Sequence, residues 1–338
     1  MFNTSPRHPI PDLRGRAIYV DQIILHETLG KGAFGRVFRG EMVRPNNQHT
    51  QFAVKVLRKA QAGTRAGIAQ ATEQALHCNM GEHPNVSSLH FADADEEFTY
   101  LIMDYCPGGS LHEFIGSNKV TFVGNDEMVK RVFGQILDAV HHCHSNGVYH
   151  RDLKPDNILM SKDGAQAFVT DFGLSSSARS GWHAVGTLPY QAPECIYSTM
   201  LNAQYDHAPA DVWALGVILC AIISNCRPWN FADDGDANFQ RFRADPYSLM
   251  EHLPISVEAC VLLSEVFELD PDSRVRLPEL QARVQGMKTF FGGSGDLTYR
   301  RGLIHVELDK LGAAEMFASV EEPKWKQKLG GWFNRIGQ

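Results

Sequence analysis

An α+β fold, with strands in the first hundred residues and helices after them, is what the sequence predicts. Three observations carry this. Residues 21–57 alternate apolar and polar positions around a glycine-rich turn, as strands do. Val129, Val132, Phe133, Ile136, Leu137 and Val140 recur at helical spacing over 128–144. Asp211 then opens an almost wholly apolar run over 212–219, which reads as a buried helix.

Composition agrees with one sizeable core. The chain has 338 residues, 43% hydrophobic and 21% charged, as in ordinary globular proteins. Its net charge of −7 gives no electrostatic reason to expect nucleic acid or an anionic membrane as main partner. The seven cysteines are odd in number, scattered and without a Cys-x-x-Cys pair. Neither a disulfide framework nor a zinc site is indicated, and reduced thiols are expected. The first residues lack the apolar core of a signal peptide, and no apolar run reads as a membrane span. A soluble protein of the cytosol or nucleus is expected.

In chain order, residues 1–20 carry three prolines and read as a flexible lead-in. Gly30, Gly32 and Gly35 follow a strand-like run. This Gly-x-Gly-x-x-Gly spacing is weak alone, because dinucleotide-binding folds share it, with the glycines opening a helix. Here Val37-Phe38-Arg39-Gly40 and the turn-rich Arg44-Pro45-Asn46-Asn47 come next, so a β-hairpin is expected instead. Lys55 lies in the strand Phe52-Ala53-Val54-Lys55-Val56-Leu57, where an isolated lysine would ordinarily sit at a solvated edge. Glu73 is the sole acid between Lys55 and Glu82, on a helix expected over 66–79. Thr99-Tyr100-Leu101-Ile102-Met103-Asp104 reads as a strand running into Pro107-Gly108-Gly109. His141, His142 and His144 sit at a helix end, where imidazole suits the dipole better than a metal reading does.

The densest chemistry lies over 149–194. Asp152 and Asn157 stand five residues apart on a loop, and Asp171 comes nineteen residues after Asp152, beyond the strand-like Ala167-Phe168-Val169-Thr170. A carboxylate to orient a hydroxyl and hard oxygen donors for Mg²⁺ are what phosphoryl transfer asks of a protein. His150-Arg151-Asp152, Asp171-Phe172-Gly173 and Ala192-Pro193-Glu194, in this order and spacing, resemble the catalytic and activation segments of eukaryotic protein kinases.

That resemblance covers about residues 23–291. It implies a two-lobed protein-kinase-like fold, with an antiparallel-sheet small lobe carrying one helix (21–102), a hinge (103–109) and a mainly helical large lobe (110–291). It further implies ATP and Mg²⁺ as cofactors and a protein Ser/Thr hydroxyl as acceptor. Asp152 would be the base or hydroxyl-orienting group, Lys154 would lie near the transferred phosphate, and Asn157 and Asp171 would hold the metal. Lys55 would contact the phosphates and pair with Glu73. Gly30, Lys31, Gly32, Ala33, Phe34, Gly35 and Val37 would cover the nucleotide. Ala53, Met103, the backbone at Asp104 and Cys106, and Leu159 would surround its base.

Asp211 would cap the His-Arg-Asp loop, Arg274 would pair with Glu194, and His77, Leu89, His150 and Phe172 would stack between the lobes. Lys154 and Gly186-Thr187 resemble serine/threonine rather than tyrosine kinases, and Leu174 leans towards serine. At the place of the usual activating phosphothreonine stands His183, which departs from the pattern, although Ser177 and Ser180 are near. Where arginine-seeking kinases hold acids, Ser110 and Ala221 stand, leaving Asp156. A pseudokinase scaffold is the rival reading; such chains replace Lys55, Asp152, Asn157 or Asp171, and all four are present.

Asn225-Cys226-Arg227-Pro228-Trp229-Asn230, Phe267-Glu268-Leu269-Asp270-Pro271 and Thr289-Phe290-Phe291 resemble a narrower group of fungal kinases. Its members are related to the fission-yeast negative regulator of meiosis and to budding-yeast nutrient-response kinases. Gly292-Gly293-Ser294-Gly295 reads as a linker into a tail over 292–338. The tail ends in mixed bases and aromatics (Lys324, Trp325, Lys326, Lys328, Trp332, Phe333), which suit packing on the large lobe, a partner or a membrane surface.

Overall fold

The computed structural model describes residues 9–20, 22–32, 35–44, 48–117 and 121–292. Six strands, β1 (Ala17–Ile18), β2 (Ile23–Lys31), β3 (Arg36–Val43), β4 (His49–Arg58), β5 (Leu89–Ala94) and β6 (Phe98–Asp104), form one antiparallel sheet in the order β1-β2-β3-β4-β6-β5. Side chains alternate across its two faces. Phe38, Phe52, Val54, Val56, Phe98, Tyr100 and Ile102 form a core on one face. The intervening positions Val37, Ala53, Lys55 and Met103 therefore share the other face, towards the large lobe.

The flexible lead-in expected over 1–20 does not hold for residues 9–20. Leu13 and Ile18 are buried in the core of the sheet, and Ile10 packs against it. β1 pairs with β2, and Arg16 Nη2 lies 2.7 Å from Asp95. The reason is physical: this segment covers sheet side chains that would otherwise face water.

Helix α1 (Arg65–Asn79) crosses between β4 and β5, opened by Thr64 Oγ1 accepting from the Gly67 N–H. Beyond the sheet come α2 (Leu111–Gly116) and α3 (Asp126–Ser145), then the short hairpin β7 (Ile158–Met160) and β8 (Ala167–Val169). α2 starts with a reciprocal Ser110–Glu113 capping box. The two-residue β9 (Ser180–Gly181) precedes α4 (Pro193–Leu201) and pairs with β10 (Tyr205–Asp206). The remaining helices are α5 (His207–Ser224), α6 (Ala237–Ala244), α7 (Leu249–His252), α8 (Val257–Val266) and α9 (Leu277–Gly286).

α5 starts earlier than its apolar run suggests. Asp206 is its N-cap, and Pro209 sits in the first turn, where no intrahelical N–H bond is needed. Asp211 is thus inside the helix and does not open it. By length and composition α5 could cross a membrane, contrary to the expectation of no such run, yet most of it is buried in the large-lobe core. Around it Trp213, Trp229, Phe239, Phe242 and Phe267 pack ring against ring, with centroid separations from 4.8 to 6.4 Å. Each such side chain buried contributes about 1.5–3 kcal/mol before entropy is counted. The tail expected after Gly292 lies outside the described residues, as do Ala33 and Phe34.

Candidate active site

The cleft between the lobes joins two clusters. In the upper one, Lys55 Nζ lies 2.6 Å from Glu73 Oε1 on α1 and 2.7 Å from Asp171 Oδ1. Lys55 and Glu73 are each only 7% exposed. Burial would lower the Lys55 pKa, but Asp171 and Glu73 outweigh it and hold the ammonium above the ordinary lysine value. For Asp171 burial pushes upward, yet Lys55 wins and keeps the carboxylate below its usual range.

Asp171 adopts a left-handed backbone, φ 64°, and is succeeded by Phe172, which is buried. The Phe172 ring lies 4.7 Å from that of His77 and 5.1 Å from that of His150, so these members of the expected stack meet. Leu89 sits opposite Met103 in the sheet. His77 Nε2 is 2.6 Å from the Ser87 carbonyl, and burial holds its pKa below the ordinary histidine value.

The lower cluster is built on the loop before β7. Asp152 Oδ1 accepts from both the N–H and the hydroxyl of Thr187, each at 2.8 Å. Lys154 Nζ donates to Asp152 Oδ2 at 2.9 Å and to Thr187 Oγ1 at 2.7 Å. Asn157 Nδ2 donates to the Asp152 carbonyl at 2.8 Å, which turns the amide oxygen the other way. Gly186 lets Thr187 approach: its φ is +94°, and a Cβ there would lie 2.4 Å from the Arg151 carbonyl oxygen. In the sequence Thr187 served only to separate acceptor classes; its clamp on Asp152 emerges from the fold.

A second contributor that the sequence did not mark is His144. Asp211 is buried, and its Oδ2 and Oδ1 accept the His150 and Arg151 N–H groups at 2.9 and 2.8 Å. His144 Nε2 lies 2.9 Å from the same Oδ2. Burial would raise the Asp211 pKa, but the hydrogen bond from His144, its charge and the loop N–H groups bring it below the usual value. No sequence signal singled out His144 from its neighbours at the end of α3.

The segment between Asp171 and Glu194 is held by carbonyls and backbone pairing. The Arg151 guanidinium donates to the Leu174 and His183 carbonyls, both at 3.4 Å. β9 pairs with β10, Arg179 Nε lies 2.8 Å from Asp206, and His207 Nδ1 lies 2.7 Å from the Ala178 carbonyl. Ser177 and Ser180 are exposed.

Of the residues expected beside a nucleotide, Val37, Ala53 and Met103 lie on the cleft face of the sheet. Gly30 and Lys31 end β2, Lys31 and Gly32 are exposed, and Gly32 N donates to Gly35 O at 2.9 Å across the turn. Gly35 must be glycine, because a Cβ would come 2.5 Å from the Val56 carbonyl oxygen. Asp104 ends β6, its side chain turned back to the Ser88 N–H and to His90 at 2.8 Å each. Cys106 comes next in the hinge; burial pushes its thiol up to about 12, so it stays protonated. Gly108 N donates to Met160 O, and Met160 N to Gly109 O, which fixes the hinge against β7 and brings Leu159 beneath it.

The donor chemistry fits a hard divalent cation: Asp171 offers carboxylate oxygens and Asn157 an amide oxygen turned away from Asp152. Among the described residues no group of three His, Cys, Asp or Glu side chains is placed to hold a metal ion. Below the cleft, Glu194 and Arg274 form a buried two-bond pair, Nη1–Oε1 2.6 Å and Nη2–Oε2 3.1 Å.

Comparison with known proteins matches residues 23–284 to the protein kinase domain. The chain is 35% identical over 298 residues to the negative regulator of sexual conjugation and meiosis of Schizosaccharomyces pombe, covering 82% of this chain and 63% of that protein. It is 33% identical over 262 residues to CBL-interacting serine/threonine-protein kinase 5 of Arabidopsis thaliana, covering 75% and 55%. With sperm motility kinase 3A of Mus musculus it shares 32% identity over 277 residues, covering 81% and 51%. The chain thus spans 51–63% of the length of these three relatives. With a two-lobed fold, a cleft of this geometry and a match over most of its length, the chain belongs to the protein kinase family.

Proposed function

We propose that this chain transfers the γ-phosphoryl group of Mg·ATP to a serine or threonine hydroxyl of a protein. One observation carries the reading: Asp152, clamped by Thr187, Lys154 and Asn157, lies in the same cleft as the Lys55–Glu73–Asp171 triad. The acceptor oxygen attacks phosphorus, the bond from phosphorus to the β-bridging oxygen breaks, and ADP leaves. Asp152 Oδ2 accepts a hydrogen bond from the acceptor hydroxyl and takes its proton as the P–O bond forms. Lys154 supplies positive charge beside the incoming oxygen, and Lys55, oriented by Glu73, neutralises phosphate oxygens across the cleft. Mg²⁺, held by Asn157 and Asp171, would shield charge on the phosphates. Thr187, bonded to Lys154 and Asp152 together, fits a Ser/Thr acceptor.

The fission-yeast relative is named as a negative regulator of sexual conjugation and meiosis, and its likeness supports a regulatory role in meiosis; the resemblance to budding-yeast nutrient-response kinases offers nutrient response as the other setting. Labelled phosphate from Mg·ATP, offered to a generic acceptor protein, tests the chemistry. Wild type should label the acceptor and Asp152→Asn should not. Equal labelling by both proteins would overturn the assignment.

A further inference from the structure

We propose that the loop between α1 and β5 is closed by a proton-sensitive clip, the stacked imidazoles of His83 and His142. The clip ties α1 to the large lobe while the rings are neutral and loosens when both are charged.

The two rings come from different lobes. His83 lies in the loop after α1 and His142 in the last turn of α3, with ring centroids 4.6 Å apart and planes 25° from parallel. His142 Nε2 lies 2.7 Å from the carbonyl of Met80, the C-cap residue of α1, so this nitrogen donates. His83 Nδ1 lies 3.2 Å from the Asn85 nitrogen, whose N–H points at it, so this ring nitrogen accepts. An accepting Nδ1 requires the neutral ring with its proton on Nε2.

Asn85 and its neighbours link the clip to the cleft. The Asn85 side chain donates to the Ala167 carbonyl at 2.9 Å, its carbonyl accepts from Val169 N at 2.8 Å, and Ser87 N donates to Val169 O at 2.9 Å. The loop is therefore stitched to β8, two residues ahead of Asp171. At its other end it continues α1, which carries Glu73. A proton on His83 Nδ1 removes the acceptor for the Asn85 N–H and sets a cation over the face of His142.

The surrounding charges decide how many protons the pair tolerates. On α3, Asp138 faces His83, His141 adjoins His142 in sequence, and the Cys143 thiol contacts Met80. On the loop, exposed Glu82 adjoins His83 in sequence. One facing acid offsets one imidazolium; two stacked imidazolium rings repel. Burial first and His142 second hold the His83 pKa below its ordinary value. The unfolded chain therefore takes up the proton first, so stability present above about pH 6.5 is lost as pH falls below it.

Urea midpoints of the full chain at pH 7.5 and 5.5 test this without any need for transfer. His83→Asn keeps an acceptor for the N–H two residues on, as an Asx-turn, and does not titrate. His142→Gln keeps a donor for Met80. The wild-type midpoint should fall further with pH than that of the double variant, and proton NMR should show the His83 ring titrating below the ordinary histidine value. The loss of transfer rate from pH 7.5 to 5.5 should also be at least threefold steeper in wild type; this arm alone rests on the proposed function. Equal midpoint shifts in both proteins would overturn the clip. Should the variant fail to fold, a wild-type His83 ring titrating at the ordinary histidine value would overturn it equally.

Discussion

Glu73→Gln isolates the ion pair that fixes Lys55. Glutamine has nearly the same shape, so the cavity at Glu73 stays filled, and Lys55 keeps Asp171 at 2.7 Å. What disappears is one of two opposing charges on an ammonium that is 7% exposed; the glutamine amide oxygen can still accept from it, so the 2.6 Å bond loses only its charge on the acceptor side. A hydrogen bond to a charged group contributes about 1.5–3 kcal/mol, more than a neutral one. With Glu73 neutral, Asp171 becomes the stronger partner of Lys55, which draws the ammonium towards the proposed metal ligand. If the difference between the charged and the neutral bond, about 1–1.5 kcal/mol, is missing from the transition state, kcat/KM falls about 5- to 13-fold. The assay is initial-rate phosphate transfer with varied ATP, beside a urea midpoint to confirm the fold. A folded variant within about twofold of wild type would refute the view that Glu73 orients Lys55 for transfer.

Three further perturbations probe other links. Arg274→Met leaves Glu194 buried without its cation and removes the bonds to Pro209 and Glu268 carbonyls, so unfolding free energy should fall by about 3–5 kcal/mol in a urea titration. His144→Phe keeps ring packing while taking a donor from Asp211; kcat should drop about tenfold, a little over 1 kcal/mol, with KM for ATP nearly unchanged. A changed KM with intact kcat would remove His144 from the loop-positioning role. Ser180→Ala should leave transfer unchanged, because the segment is held by β9–β10 pairing and by Arg151 on carbonyls. A loss of activity that returns with Ser180→Glu would show that a phosphate is needed.

Local pattern carried much of the cleft into view. Period-two alternation places Val37, Ala53, Lys55 and Met103 on one sheet face, and the absence of another acid leaves Glu73 as the partner for Lys55. The core face of α3 was likewise legible, since helical spacing of apolar residues is a property of the chain alone, and α5 showed as an unbroken apolar run. Helix starts were less so: Pro209 resembles a breaker until the first turn of α5 is seen to need no N–H there. The lead-in departs from expectation for a related reason. Prolines make residues 9–20 poor at regular structure, yet Leu13 and Ile18 are drawn onto a sheet face whose need for cover arises only once six strands assemble.

By itself, then, the sequence determined the class of fold, the two lobes through their resemblance, and the chemical types gathered near Asp152 and Asp171. The tertiary structure decided the contacts that neither spacing nor resemblance had named. Thr187 reaches Asp152 across 35 residues and His144 reaches Asp211 across 67. His83 meets His142 at the junction of the lobes. Local propensity acts over a turn or a strand, whereas hydrogen bonds and ring stacking depend on distances that exist only after the core has closed.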